Sequence, residues 1–281
     1  MDYQSLLVWG SETLSATRTL DTAAAAAARF DAHLTGIFLE DPSLYRYPLA
    51  YQADLAGFPD RSDGSDVRTH AARTVFDKAC RKAGIDKTGW RCAQGKAIDS
   101  LTVQARYADA IFMTQATAND GVDRWRADVD LPAKLAIASA RPVIAVPENG
   151  SRTIIDERIL IGWKASREAT RAVTAALPLL RRAYKVKLIA IDPAPVDEED
   201  ASEAGADIAL YLARHGVNVE TREIESDFYS VTDVLLDEAT AMDADLICIG
   251  AYGYSRLREL IMGGVTRELM RAMSIPVLLA H

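Results

Sequence analysis

The chain has 281 residues, with 32 Lys+Arg against 40 Asp+Glu and a formal net charge of −8. That acidic balance excludes a generic grip on nucleic acid, which needs cationic surface to displace counterions. Hydrophobic and charged fractions of 49% and 26% exclude a disordered or fibrous chain, and no apolar run approaches the ~18 residues that span a bilayer, so no membrane insertion is expected.

In chain order, short β-branched runs predict strands over 4–9, 33–39, 89–93, 109–114 and 142–146. The Ala run 23–28 is helix-forming, and a helix is expected at 67–84 after a long connection, 41–66, rich in Tyr, Pro, Asp and Gly. Pro147 to Arg152 is a Pro/Asn-Gly turn cluster that reads as a boundary. Beyond it, strands are expected over 157–163, 185–191, 218–223, 244–249 and 275–279, and helices over 166–183, 200–215, 229–241 and 265–273. Val231, Val234, Leu235 and Ala239 share a helical face, and Ser166 and Ser230 stand where N-caps belong. Asn149-Gly150-Ser151 spells a glycosylation acceptor, read as coincidence in a chain whose acidic start (Asp2) lacks the basic residues of an export signal. The same start places the chain in the cytoplasm as an expectation.

The pattern occurs twice. Arg141-Pro-Val-Ile-Ala-Val-Pro147 answers Ile275-Pro-Val-Leu-Leu-Ala-His281, and Ala108-Asp109-Ala-Ile-Phe-Met113 answers Ala244-Asp245-Leu-Ile-Cys-Ile249. Ser5 to Ser11 matches Leu160 to Ser166, which sets Trp9 against Lys164, and each is followed by Ala-Thr-Arg (16–18 and 169–171). Strands alternating with helices mean parallel pairing through right-handed crossovers. The expected fold is therefore α/β, with two tandem open five-stranded parallel-sheet domains, 1–148 and 153–281, each Rossmann-like with helices on both faces.

Catalytic constellations are missing. The four histidines (His33, His70, His215, His281) have no metal-ligand spacing, and no GxSxG elbow is present. Gly89 to Gly95-Lys96 has the wrong spacing for a phosphate loop of the Walker type. Cys80, Cys92 and Cys248 lack CxxC spacing and read as buried reduced thiols, so neither catalytic residues nor a metal site is expected.

The most informative local feature is Gly250-Ala-Tyr-Gly253 followed by Gly263-Gly264-Val265-Thr266. Glycines just beyond a buried strand let backbone approach a ligand outside the carboxyl ends of a parallel sheet. A Gly pair opening a helix offers N–H groups to an anion. Read plainly, the same residues make a tight turn and a helix break, and both readings stand on spacing alone. Arg256, Arg258 and Arg267 make the segment locally basic, although Arg–Glu pairs with Glu259 and Glu268 also fit a solvated helix face. This basic stretch lies in the more acidic part of the chain, since 1–150 carries 17 basic and 19 acidic groups and 151–281 carries 15 and 21.

Gly-x2-Gly-x9-Gly after the Asp245-Leu-Ile-x-Ile-Gly250 strand, with Gly264-Val265-Thr266 opening the last helix, resembles the nucleotide-binding signature of the universal stress protein family. The resemblance covers nearly the whole chain twice, as in tandem members, though the motif stands only in the second half. It implies a nucleotide-responsive stress regulator with ATP or a related adenine nucleotide, with or without Mg, in the C-terminal domain. Gly250 would approach the ribose, and the N–H groups of Gly253, Gly263, Gly264 and Val265 would hold phosphates. Ile191 would meet adenine through backbone, and Thr266 would offer a hydroxyl. The sequence departs from the family at Lys164, where a ribose-binding Asp is usual, and at Gly264, where Ser or Thr is usual. Lys164 could reach a phosphate or be a solvated strand-end lysine. The first half runs instead into Thr114-Gln115-Ala116 and a charged stretch, Asp123 to Asp128, and reads as a non-binding partner domain. The resemblance further implies an intramolecular pseudo-dimer joined through the final strands, leaving room for a homodimer and for an unidentified regulatory protein partner. Two alternatives remain open: an interaction protein that binds no nucleotide, and a slow ATPase.

Overall fold

The computed structural model describes residues 2–10, 14–40, 61–115, 128–149, 152–192, 205–251 and 264–281. The first half supplies β1 (Ser5–Trp9), β2 (His33–Glu40), β3 (Thr88–Gln94), β4 (Ala110–Thr114) and β5 (Val143–Val146). With them come α1 (Leu14–Phe30), α2 (Arg61–Ala83), α3 (Ala97–Ala105) and α4 (Leu131–Ser139). The second half supplies β6 (Arg158–Trp163), β7 (Lys185–Ile191), β8 (Val219–Ile224), β9 (Leu246–Gly250) and β10 (Val277–Ala280). Its helices are α5 (Arg167–Leu180), α6 (Ala206–Arg214), α7 (Val231–Ala241) and α8 (Gly264–Ala272).

The ten strands of the described residues lie in one sheet, in the order β3-β2-β1-β4-β5-β10-β9-β6-β7-β8. Within each half their pairing is parallel, and β5 and β10 run antiparallel, with Leu278 opposite Ile144. The expected contact between the two final strands is thus present. Successive strand residues enter opposite cores: Val8, Ile144, Ile161 and Leu278 pack on one face, and Leu7, Val143, Leu160 and Leu279 on the other. Because helices cover both faces, the central strands can be apolar throughout, which is why they read as continuous runs. The outermost strands differ. Glu220, Thr221, Arg222 and Glu223 of β8 are all exposed, and charge on an edge strand discourages further pairing.

The two halves are also tied by polar contacts away from the β5–β10 ladder. Tyr3 donates its hydroxyl to the Ala175 carbonyl at 2.6 Å, and burial drives its phenol far above its ordinary pKa. Arg18 on α1 donates to the carbonyls of Pro147 and Asn149 in the connecting turn, and Arg152 at its far side pairs with Asp243 at 2.6 Å.

Four expectations change. Helix α2 begins at Arg61, inside the stretch read as loop, while 41–60 lies outside the described residues. Cys92 is exposed on β3, unlike Cys80 and Cys248, whose burial pushes their thiols up to about 11 and about 12. Arg267 and Glu268 find partners elsewhere: Arg267 Nε lies 3.6 Å from Asp130 of the first half, and Glu268 accepts from Thr232 at 2.9 Å, while Arg256, Arg258 and Glu259 lie outside the described residues. Lastly, the internal alignment shifts by two residues. Ser5 opens β1 opposite His33, and Arg158 opens β6 opposite Lys185, so Lys164 corresponds to Ser11 and Gly162 to Trp9. A two-residue slip keeps every side chain on the same face, so apolar alternation cannot detect it.

Candidate functional site

Within the second half the strand order β10-β9-β6-β7-β8 reverses direction of growth between β9 and β6. In open α/β sheets the crevice outside the carboxyl ends at such a switch point is where ligands sit. The described candidates converge on this edge. Lys164 follows β6 and is exposed, Ile191 ends β7, Gly250 ends β9, and Gly264, Val265 and Thr266 form the first turn of α8. Gly253 and Gly263 lie outside the described residues.

Each has a local cause. Ser166 accepts from the Ala169 amide at 3.2 Å and caps α5, so the chain turns sharply after Lys164 and leaves its ammonium in solvent. Gly264 and Val265 are exposed, and no described heavy atom lies within 4 Å of a Cβ built on Gly264. Amides in the first turn of a helix lack intrahelical acceptors, so this turn presents N–H groups at the positive end of the dipole. Thr266, by contrast, is buried and faces the core.

Gly250 is constrained more by packing than by openness. A Cβ there would stand 2.6 Å from the Ala169 backbone nitrogen and 2.7 Å from the Glu168 carbonyl carbon. The glycine lets the N-terminus of α5 close onto β9. Sequence reading assigned it to ligand approach, while the described neighbours are helix backbone.

Three features of this edge escaped the sequence reading. Glu168 is buried there; desolvation pushes its carboxyl up, but hydrogen bonds from Arg167, its own backbone and Ser166 hold it below the ordinary value. Asp192, directly after Ile191, has φ 46° and accepts from the Ser226 amide at 2.8 Å and from the Ser226 hydroxyl, which lowers its pKa. Beside Ser226, Phe228 and Tyr229 stand in solvent, Phe228 at 103% exposure. The turn composition of Glu225-Ser-Asp-Phe-Tyr-Ser230 was the available signal, but nothing in spacing ties it to the Gly motif. His281 also belongs to this edge: its ring lies 3.0 Å from the Ala251 carbonyl, and Arg171 donates to its backbone oxygen at 2.7 Å.

In the first half the corresponding positions are filled differently. Thr114 and Gln115 stand where Gly250 and Ala251 stand, and Gln115 is buried, donating to the Met270 carbonyl at 2.8 Å. Among the described residues no cluster of His, Cys, Asp or Glu could hold a metal ion. No helix of the described residues is long and apolar enough to cross a membrane.

Residues 157–281 match the model of the universal stress protein family. A universal stress protein from Archaeoglobus fulgidus DSM 4304 superposes with a TM-score of 0.71 at 13% identity, over 98% of this chain and 95% of that one. A functionally unknown protein from Pseudomonas aeruginosa PAO1 superposes with a TM-score of 0.58 at 16% identity, over 99% of this chain and 92% of that one. These likenesses establish the fold across both halves. No curated protein shows significant sequence similarity.

Proposed function

From the premise that residues 157–281 form a universal stress protein domain, we propose that this chain is a nucleotide-responsive stress regulator binding ATP, or a related adenine nucleotide, at the carboxyl edge of β9, β6 and β7. The observation that supports the reading is the exposed first turn of α8 at Gly264-Val265, on the same sheet edge as the exposed Lys164. Backbone N–H groups and an ammonium suit a polyphosphate. The ring faces of Phe228 and Tyr229, on the same edge, suit a planar base. Binding would change what this edge offers a protein partner.

Equilibrium dialysis of the full chain against ATP, with and without Mg, tests this. Saturable binding up to millimolar ATP is expected, with Lys164→Glu weakening it about ten-fold, the loss of ~1.4 kcal/mol. Absence of binding at millimolar ATP sinks the nucleotide reading, and equal binding by Lys164→Glu sinks the assignment of Lys164. A second reading, an interaction protein without nucleotide, is favoured by the helix backbone packed against Gly250, which explains that glycine without a ligand. The same dialysis separates the two.

A further inference from the structure

At the opposite, amino-terminal side of the sheet the two halves differ in one cluster that the repeat lets us compare position by position. In the second half, Lys187 on β7 is opposite Leu160, Arg222 on β8 is opposite Ile189, and Glu238 is the eighth residue of α7. Their counterparts are Thr35 on β2 opposite Leu7, Arg91 on β3 opposite Ile37, and Gln104, the eighth residue of α3. Glu238 bridges Lys187 at 2.6 Å and Arg222 at 2.7 Å, and Lys187 and Glu238 are only 12% and 16% exposed. Both carboxylate oxygens are engaged.

The first half keeps the arginine and removes both other charges. Arg91 donates to the neutral Gln104 side-chain oxygen at 2.6 Å and makes no ion pair among the described residues. Thr35 is shorter than Lys187 at the matching position, and a pocket of about 120 Å³ is lined in part by Ser5, His33, Thr35, Arg91, Gln104 and Tyr107. Asp109, close by in sequence, turns its carboxylate to the Gln4 and Ser5 amides at 2.8 and 2.9 Å. The Ser5 hydroxyl is held by the Tyr107 carbonyl, and the Thr35 hydroxyl lies 3.3 Å from His33 Nδ1. Both clusters carry a net single positive charge. In the first half that charge, on an exposed arginine, faces open volume and hydroxyl and imidazole groups, and no carboxylate among the described residues pairs with it.

We propose that this pocket is a binding site for a small oxyanion of phosphate or sulfate size, held by the guanidinium of Arg91 and separate from the nucleotide edge. A guanidinium presents five donors in a fixed fork, and Gln104 occupies one. The volume exceeds the minimum for a single water several-fold, so a tetrahedral anion has room.

Titration calorimetry of the full chain with inorganic phosphate, against chloride at matched ionic strength, tests the site. Saturable heat is expected from the wild type. Arg91→Gln removes the charge, and Gln104→Glu installs the carboxylate found in the second half; each should weaken phosphate binding at least ten-fold. Lys164→Glu, at the other edge, should retain saturable phosphate binding that Arg91→Gln then removes, which distinguishes this site from the one proposed for nucleotide. Circular dichroism checks folding, and the double variant Thr35→Lys/Gln104→Glu rebuilds a triad the fold already accommodates, so loss of binding there cannot be laid to misfolding. Absence of saturable binding in the wild type, or retained binding in either single variant, overturns the proposal.

Discussion

Arg29 Nε donates to the carboxylate of Asp156 at 2.7 Å, joining the last turn of α1 in the first half to the strand entry of the second. Asp156 is 2% exposed on its side chain, and Arg182 Nε stands 3.4 Å away while its guanidinium lies 4.9 Å over the Phe30 ring. Arg29 and Arg182 therefore share one buried acid, and the second oxygen of Asp156 has no partner. Removing one arginine leaves the acid half-compensated, so Arg29→Ala should cost about 2 kcal/mol. Arg73→Ala, which removes a solvent-exposed i,i+4 contact at 3.8 Å to Asp77, should change stability by less than about 0.5 kcal/mol. Urea unfolding of the two variants measures the contrast; equal effects would refute the clamp.

Gly250 and Gly264 make a second contrast. A methyl group at Gly250 meets helix backbone at 2.6 Å, where nothing flexible can yield, and Gly250→Ala should lose about 1–3 kcal/mol. Gly264→Ala meets no described atom within 4 Å, keeps its N–H and gains helix propensity, so stability should hold or rise slightly. If ATP binds where proposed, Gly264→Ala should keep it. Thermal melts with and without ATP read both effects, and a stable Gly250→Ala variant would mean α5 has room to retreat.

Much of this architecture can be read from residues alone, for physical reasons that also mark the limits. Leu246 to Ile249 and Val143 to Val146 are wholly buried between two helix layers, so they stand out as apolar runs without alternation. Ser230 makes a full capping box with Asp233, a contact local enough for four residues to reveal. What stayed hidden depends on partners far apart in sequence. The true correspondence of Ser5 with Arg158 is marked by Asp109 and Asp245 binding the amides at each strand's start, a contact no periodicity encodes. The candidate edge was legible as a place, because Lys164, Ile191, Gly250 and Gly264 follow strands or open a helix. The Asp192–Ser226 bond and the α5 backbone against Gly250 were not, since turns and close approaches are fixed only after packing.

The paired aspartates give a pH prediction. Asp245 Oδ2 accepts from the Glu157 and Arg158 amides at 3.2 and 3.1 Å, while Oδ1 is buried without a partner. Burial raises its pKa to about 6 against the pull of those amides, with Asp156 and Glu157 adding like charge. The folded state thus holds the proton more tightly than the unfolded state, where an Asp titrates near 4. Stabilisation from this group is complete below pH ~4 and is lost as the pH rises to about 6. Asp245→Asn keeps an oxygen for both amides without the charge. Relative to wild type it should gain about 1–2 kcal/mol between pH 4 and 7, a figure reduced for solvent screening. Denaturant curves at the two pH values check this; a constant difference would show that the carboxyl does not titrate in that window.

Gln115 links the empty motif of the first half to the helix that opens the candidate site in the second. It extends from β4, and its amide nitrogen donates to the carbonyls of Met270 at 2.8 Å and Arg271 at 3.4 Å. Those carbonyls lie in the last turn of α8, where no intrahelical donor remains. Gln115→Leu keeps the bulk and leaves the Met270 carbonyl buried without that donor, a cost of about 1–2 kcal/mol. Gln115→Glu should be worse, because a carboxylate would face the same oxygens. The effect should also reach the far end of the helix, since α8 runs from Gly264 to Ala272 as a single short rod. Hydrogen exchange should show faster opening of the α8 amides in Gln115→Leu, while those of α3, to which the Gln115 side chain makes no hydrogen bond among the described residues, stay at the wild-type rate. Faster exchange in both helices to the same extent would mean that the two halves open together and that this contact is not specific to α8.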